Sequence, residues 1–159
     1  MGYTHYWTIN QKEISRESWF GFMQEFEKIE SEFHGKLDHT TDQKYKIDLD
    51  YIHFNGVGEQ SHETFTMNRK NPLEKSYIDP DKNKLEYFDF CKTARKEYDI
   101  AVCCALIIAK KHFGDIIKVS SDGEEEDGWD KAKELCQKTL KYGKTFNISY
   151  ENENGGQFI

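Results

Sequence analysis

The sequence lacks an apolar run long enough to cross a membrane, since the longest one covers residues 100–109 and stops at Lys110 and Lys111. A membrane-spanning helix needs about 20 apolar residues in succession. Residues 1–7 also have neither the charged region nor the apolar region of an export signal. We therefore expect a cytoplasmic protein without a membrane partner.

Positive charge is also in short supply. The chain carries 22 Lys and Arg residues against 29 Asp and Glu residues, which gives a formal net charge of −7 at pH 7. A generic binder of duplex nucleic acid needs a basic surface to neutralise phosphates, so the charge balance argues against that class. A local basic pocket for a small anion remains compatible with it.

The four cysteines lack the spacing of a structural zinc site, because the sequence has no Cys-x-x-Cys pair and no Cys/His ligand pattern. We expect no metal and no cofactor. Cys103, Cys104 and Cys136 lie on apolar helical stripes, where a thiol behaves as a small apolar group. Cys91 stands beside Lys92, and this setting predicts that Cys91 is the most reactive of the four thiols.

Aromatic residues supply 14% of the chain and allow a compact core. Hydrophobic periodicity predicts strands over residues 3–9, 45–54, 62–68, 85–91 and 116–121, with an irregular stretch over 69–84. It also predicts a helix capped by Ser15, a central apolar helix around 99–113, and a last helix capped by Asp127. This order indicates an α+β fold, specifically a ferredoxin-like or related sandwich with a mainly antiparallel sheet and about three helices. We expect one domain over residues 1–150 and a frayed tail over 151–159.

The densest polar cluster lies where a strand gives way to the central helix. Lys92, Arg95 and Lys96 precede the start of that helix, where cations oppose the helix dipole and so require another reason for their position. With the free N–H groups of the helix terminus they predict an anion site. A solvated connection between two elements is the alternative explanation.

Three further groups of residues are candidates for the same site. Ser121 and Asp122 follow a strand and precede a helix, a position where ligands gather in α/β folds, although Asp-Gly is also an ordinary turn sequence. Asn55 lies in a turn and offers a hydrogen-bonding amide. Tyr3 and Trp7 share one face of the first strand, and together with Tyr6 they are predicted to form a stacking wall for a planar group.

Two histidines are candidates for proton transfer if the protein is an enzyme. His62 shares its strand face with threonines, which favours a general acid or base in a cleft, with partly solvated sheet surface as the alternative. His5 lies on an apolar face, where a hydrogen-bonded core histidine is the commoner outcome. His39 and His62 also begin two H-x-T sequences, as in the two-histidine phosphoesterases, but the match is short and the first copy lies in a polar loop.

Several segments of the chain form specific motifs. They are Gly2-Tyr3-Thr4-His5-Tyr6-Trp7, Phe54-Asn55-Gly56-Val57-Gly58, His62-Glu63-Thr64-Phe65, Phe88-Asp89-Phe90-Cys91-Lys92-Thr93-Ala94-Arg95-Lys96 and Val119-Ser120-Ser121-Asp122-Gly123. The chain thereby resembles a family of small proteins from bacteria and their viruses that begin with a similar Gly-Tyr-Thr-His-Tyr-Trp run. The resemblance implies the cytoplasm of a bacterium, or of the host if the protein is viral. It brings no activity and assigns no catalytic role.

These features together predict a protein that binds a small anionic ligand, with nucleotide-derived molecules as the suggested type. Sequestration of a signal in bacterial or viral conflict would be one use of such a pocket. Lys92, Arg95 and Lys96 would hold the negative groups, and Asn55, Ser121 and Asp122 would form hydrogen bonds. The first alternative is a hydrolase, in particular a phosphoesterase that uses His62 as acid or base. The second alternative is a protein-interaction module. Self-association is left open.

Overall fold

The computed structural model describes residues 3–39 and 50–148, apart from the side chains of residues 125 and 126. Seven strands and three α-helices lie in these ranges. They are β1 (Thr4–Ile9), α1 (Arg16–Ser31), β2 (Leu37–Asp38), β3 (Tyr51–Gly56), β4 (Phe65–Asn68), β5 (Ser76–Asp79), β6 (Lys84–Lys92), α2 (Asp99–Phe113), β7 (Ile117–Ser121) and α3 (Asp130–Leu140). No helix among the described residues combines the length and the apolar character that crossing a membrane requires.

The main sheet contains four strands in the order β5-β6-β1-β7, and all neighbours are antiparallel. β1 and β5 therefore run parallel with β6 between them, and β7 lies on the other side of β1. This is the connectivity of a ferredoxin-like split βαβ fold. The predicted α+β sandwich with about three helices is confirmed.

A second, three-stranded sheet is inserted between α1 and β5. Its order is β2-β3-β4, again antiparallel throughout. Phe54 of β3 stacks on Phe26 of α1, with ring centroids 5.1 Å apart, and Phe65 of β4 lies 5.2 Å from Trp7 of β1. Aromatic contacts of this kind join the insertion to the helices and the main sheet in one core.

The sequence pattern of α1 explains where it begins and which face is buried. The Ser15 hydroxyl accepts a hydrogen bond from the Ser18 N–H, as a helix N-cap does. The apolar side chains at helical spacing are fully or almost fully buried: Trp19, Phe22, Met23, Phe26 and Ile29. The predicted cap and the predicted apolar stripe are both confirmed.

α2 is the centre of the core. Its residues from Ala101 to Ala109 are all buried, and it contacts α1, α3 and β7. The small side chains of Ala101, Cys103 and Ala105 let neighbouring elements approach closely. The predicted central helix around 99–113 is therefore confirmed.

Three predictions on the local structure need correction. Residues 69–84 are not wholly irregular, because Ser76–Asp79 pairs with β6 as an edge strand. Asp127 does not cap α3, which begins at Asp130 after a distorted turn over Glu125–Trp129. Cys91 is not an accessible thiol: it is fully buried, and burial raises its pKa to about 12. The first part of the predicted strand over 45–54 and the predicted tail over 151–159 lie outside the described residues.

Candidate functional site

A strained loop connects β6 to α2. Ala94 and Arg95 both adopt left-handed backbone conformations, with φ of 50° and 57°. A non-glycine residue rarely takes a positive φ, and two in succession persist only where the surroundings hold them. Thr93 provides that hold, because its N–H donates to the Tyr3 carbonyl at 3.1 Å and its hydroxyl donates to Asp99 Oδ1 at 2.6 Å.

A buried hydrogen-bonded chain lies beneath this loop. His5 Nε2 is 2.6 Å from Asp99 Oδ1, and His5 Nδ1 is 2.8 Å from Ser121 Oγ. His5 has no exposed surface and Asp99 is 4% exposed. β1, α2 and β7 each supply one member, so the chain ties three elements of the fold together.

The hydrogen bonds of Ser121 fix the tautomer of His5. Ser121 Oγ accepts from the Gly123 N–H at 2.9 Å and from the Trp129 Nε1–H at 3.3 Å. A serine oxygen has two lone pairs and one hydrogen, so the hydroxyl must donate to His5 Nδ1. His5 is then the neutral Nε2–H tautomer and donates to Asp99. Since both lone pairs of Ser121 are engaged, this serine is not arranged as a nucleophile.

The Arg95 side chain lies over the Tyr3 ring at the surface of the same region. Its guanidinium carbon is 4.3 Å from the Tyr3 ring centroid, and its Nε donates to Asp127 Oδ1 at 3.3 Å. Among the described residues, no hydrogen-bond acceptor contacts its terminal nitrogens. Burial, more than the nearby Asp99 carboxylate, raises the pKa of Tyr3, so its hydroxyl stays protonated at neutral pH.

Two glycines allow the backbone to approach the buried hydrogen-bonded residues and Tyr3 closely. A Cβ atom at Gly128 would lie 2.2 Å from Asp99 Oδ2, and one at Gly123 would lie 2.3 Å from the Tyr3 hydroxyl. Either contact is far shorter than packed atoms permit. The glycines at these positions therefore set how closely the segment before α3 approaches the site.

A cleft of about 770 Å³, here called the Arg95 cleft, opens beside Arg95. Its walls come from the turn that follows α1, the loop after β3, the β6–α2 loop, the start of α2, and α3. The residues that line it include four cations (Lys36, Arg95, Lys96 and Lys131), four acids (Glu32, Glu97, Asp99 and Asp127), and Phe33, Ile100 and Leu135. Two of the acids are already engaged, since Asp99 accepts from His5 and Thr93 and Asp127 accepts from Arg95.

The buried chain also brings three metal-binding residue types together. Ligand atoms of His5, Asp99 and Cys103 all lie within 4.8 Å of one another. The Cys103 thiol is 3.6 Å from His5 Nε2, and complete burial raises its pKa well above the usual range, which opposes the thiolate that a metal prefers. Because one residue comes from β1 and two from α2, sequence spacing gave no sign of this group.

The predicted site residues do not all meet in one cleft. Arg95 and Lys96 line the Arg95 cleft, and Tyr3 and Ser121 lie beneath it with His5. Tyr3 is covered by Arg95 and is 1% exposed, so its ring is no open stacking wall. Trp7 is 3% exposed in the hydrophobic core, which contradicts its prediction as a stacking surface.

The remaining predicted residues lie elsewhere. Lys92 and Asp122 belong to the other face of the main sheet, where Asp122 accepts a hydrogen bond from the Tyr6 hydroxyl at 3.2 Å. Asn55 shapes a loop, because its amide donates to the His62 carbonyl at 2.8 Å and its oxygen accepts from the Gly56 and His62 N–H groups. Asn55 is therefore a structural residue in this conformation.

The histidines are likewise dispersed. His62 is exposed, its Nδ1 is 2.8 Å from the Lys92 carbonyl, and it does not belong to the described lining of the Arg95 cleft. His39 binds Glu30 and the His53 carbonyl, and Thr40 and Thr41 of its H-x-T sequence lie outside the described residues. His5 has both ring nitrogens engaged and offers no exposed edge to a substrate.

In comparisons with protein-family models, with curated proteins and with solved structures, nothing matches this chain.

Proposed function

We propose that the protein binds a small anionic ligand in the Arg95 cleft, with phosphate-bearing, nucleotide-derived molecules as the preferred type. The observation that carries this proposal is the state of Arg95. Its backbone is strained and its guanidinium is held against Tyr3, yet its terminal nitrogens have no acceptor among the described residues. A planar, preoriented guanidinium suits bidentate binding of a phosphate or carboxylate.

Neighbouring charges support an anion at this position. Lys96 and Lys131 line the same cleft, and neither forms an ion pair with a described residue. Asp99 and Asp127 are occupied by partners within the protein, which lessens their repulsion of a ligand. With Lys36, the cleft therefore offers four cationic side chains to one ligand, and Glu32 and Glu97 are the remaining acids of its lining.

Apolar residues of the same lining suit the uncharged part of a nucleotide. Phe33, Ile100 and Leu135 line the cleft and are partly buried. A volume of about 770 Å³ lies within the range of small-molecule sites, roughly 300–1,000 Å³. A base or another planar group would contact these side chains while its phosphates face the cations.

A thermal-shift screen tests the proposal directly. The wild type is heated with AMP, GMP, ATP, 3′,5′-cyclic mononucleotides, cyclic dinucleotides and pyrophosphate, since a ligand that binds only the folded state raises the melting temperature. We expect at least one of these compounds to raise it, and we expect Arg95→Ala and Lys131→Ala to abolish the rise.

Lys138→Ala is the matched control, because Lys138 lies two turns further along α3 and does not line the described cleft. It should keep the full shift. A wild type that responds to none of the probes, or a shift that survives Arg95→Ala, would show that this cleft is not an anion site. Recovery of the active compound unchanged after long incubation distinguishes binding from hydrolysis, and turnover that His62→Ala abolishes would favour a phosphoesterase instead.

A further inference from the structure

The main sheet has helices on one face only. Along residues 3–9, alternate side chains point toward the helices and are buried, namely Tyr3, His5, Trp7 and Ile9. The residues between them point the other way, and the same alternation in β6 exposes 40% of Phe88 and 44% of Phe90. Large aromatic side chains are thus presented to solvent on the two central strands of a four-stranded sheet.

These rings form an ordered group, here called the aromatic face and defined by Tyr6, Phe88 and Phe90. Tyr6 of β1 lies directly opposite Phe90 of β6 in the strand register. Phe88 is 6.1 Å from Tyr6 and 6.0 Å from Phe90 between ring centroids, and it is stacked on Tyr6 with an interplanar angle of 24°. Large apolar side chains that cluster on the surface of a soluble protein often mark an interaction site, so the exposure of these rings needs an explanation.

Lysines surround the aromatic face although the chain as a whole is acidic. Lys84 and Lys92 occupy the two ends of β6, and Lys118 lies on β7 opposite Thr8. All three are exposed. Asp79 and Glu86 on this side of the sheet both pair with Lys82, and the Asp122 carboxylate lies beside Tyr6. Four lysines against three carboxylates leave this face slightly positive, in contrast to the net charge of −7 of the whole chain.

A shallow hollow of about 240 Å³ continues the aromatic face toward β5. Its lining includes Tyr77, Phe88, Lys118 and Ser120, together with Asp79 and Glu86. The Tyr77 hydroxyl donates to Glu86 at 2.9 Å, which holds the Tyr77 ring in place. The hollow adds room for a further planar group beside the three rings.

We propose that the aromatic face binds single-stranded RNA. In RNA-binding four-stranded sheets of this connectivity, two or three aromatic side chains on the central strands stack on successive bases. The lysines at the border would contact phosphates. The Asp122 carboxylate beside Tyr6, and Ser120, offer hydrogen-bonding groups for ribose 2′-hydroxyls, the group that distinguishes RNA from DNA.

A second copy of the chain is a poorer occupant of this face. Two copies related by a two-fold axis would bring the bordering lysines of one copy close to those of the other, and like charges in contact are unfavourable. An RNA strand supplies the opposite charge together with planar rings.

Fluorescence anisotropy with labelled 12-nucleotide oligonucleotides tests the proposal on the full chain. We expect U12 and mixed-sequence single-stranded RNA to bind more tightly than a 12-base-pair duplex, with an affinity that falls as salt rises. Phe88→Ala and Phe90→Ala should each weaken RNA binding by roughly 5- to 150-fold, the effect of losing one base–aromatic stack. Phe88→Tyr, which keeps a ring, should retain most of the affinity.

Phe20→Ala is the matched control, because Phe20 is an equally exposed phenylalanine on α1, away from this face. It should bind RNA as the wild type does, and circular dichroism checks that every variant is folded. Absence of RNA binding by the wild type, equal loss in Phe20→Ala and Phe88→Ala, or binding of dT12 but not of RNA would each overturn the proposal. A monomer–dimer equilibrium that Phe88→Ala abolishes, without RNA binding, would assign the face to self-association instead.

Discussion

Asp99 is the acceptor on which the buried chain depends, because the His5 Nε2–H and the Thr93 hydroxyl both donate to its Oδ1 atom. Thr93 and His5 are fully buried, so water cannot replace a lost acceptor. Thr93 also bonds to the Tyr3 backbone and so fixes the start of the strained loop. One carboxylate thereby supports both the interior and the rim of the candidate site.

Replacement of Asp99 by alanine should destabilise the protein strongly. Each buried donor left without an acceptor costs about 1–3 kcal/mol, so Asp99→Ala should lower the free energy of unfolding by roughly 2–6 kcal/mol. Urea denaturation followed by tryptophan fluorescence measures this difference. Asp81→Ala is the control, since the Asp81 side chain is exposed and forms no ion pair with a described residue. Equal stability of the two variants would mean that the buried hydrogen bonds to Asp99 contribute nothing to the stability of the fold.

His39 gives the protein a pH-dependent contact. Its hydrogen bond with Glu30 raises the pKa of His39 above the ordinary value of 6.5. A group whose pKa is higher in the folded state stabilises it fully below the unfolded pKa, and this stabilisation is lost as pH rises through the folded pKa. The melting temperature of His39→Gln should therefore fall furthest below the wild type near pH 5.5–6 and approach it at pH 8–9. Glu30→Gln should show the same trend, and a difference that grows with pH would contradict the assignment.

At the scale of single elements, α2 and β6 bury thiols that the sequence places in very different settings. All four cysteines, Cys91, Cys103, Cys104 and Cys136, are free and buried. Burial raises the pKa of Cys91, Cys103 and Cys104, which removes the reactive thiolate. Lys92, the residue next to Cys91, does not offset the effect of burial on the Cys91 thiol, because its side chain points to the opposite face of β6.

Native alkylation should therefore label none of the four thiols at an appreciable rate. Treatment with iodoacetamide at pH 8, followed by intact mass, should show unmodified protein, whereas the same treatment in 6 M guanidinium should add four groups. Peptide mass spectrometry identifies any exception. Rapid native labelling of Cys91 alone would restore the prediction made from its sequence context.

Elements with a strong periodic pattern could be predicted from the sequence, and those defined by a partner could not. For example, α1 could be predicted because Ser15 is a typical N-cap and Trp19 and Phe22 recur at helical spacing. Ser76–Asp79 carries no comparable pattern, and it becomes a strand because β6 supplies its hydrogen bonds. Arg95 and Lys96 line one cleft because they are near neighbours in the sequence before α2, whereas Lys131 and Gly128 reach that cleft only through the tertiary fold.

At the scale of the whole molecule, the main sheet separates two surfaces with different chemistry. β1 contributes to both, because His5 points toward the helices and Tyr6 points to the aromatic face. Lys92 and Asp122 were predicted to share one pocket with Arg95. They lie on the second surface instead, because successive side chains of a strand point to opposite faces of the sheet. The prediction of a single convergent site failed at this point, since neighbouring residues of a strand face opposite ways.

The long sequence separation within the main sheet bears on how the chain is synthesised and folds. β1 has its two neighbours, β6 and β7, more than 70 residues downstream, and His5 pairs with Ser121 at a separation of 116 residues. Closing such loops costs entropy before the contacts form, so these pairings are slow relative to local helix formation. On the ribosome, Trp7 and Ile9 emerge long before the strands that cover them. A nascent chain therefore carries β1 without any strand partner until β6 has been made, and with one open edge until β7 follows, the interval in which a chaperone would have most to protect.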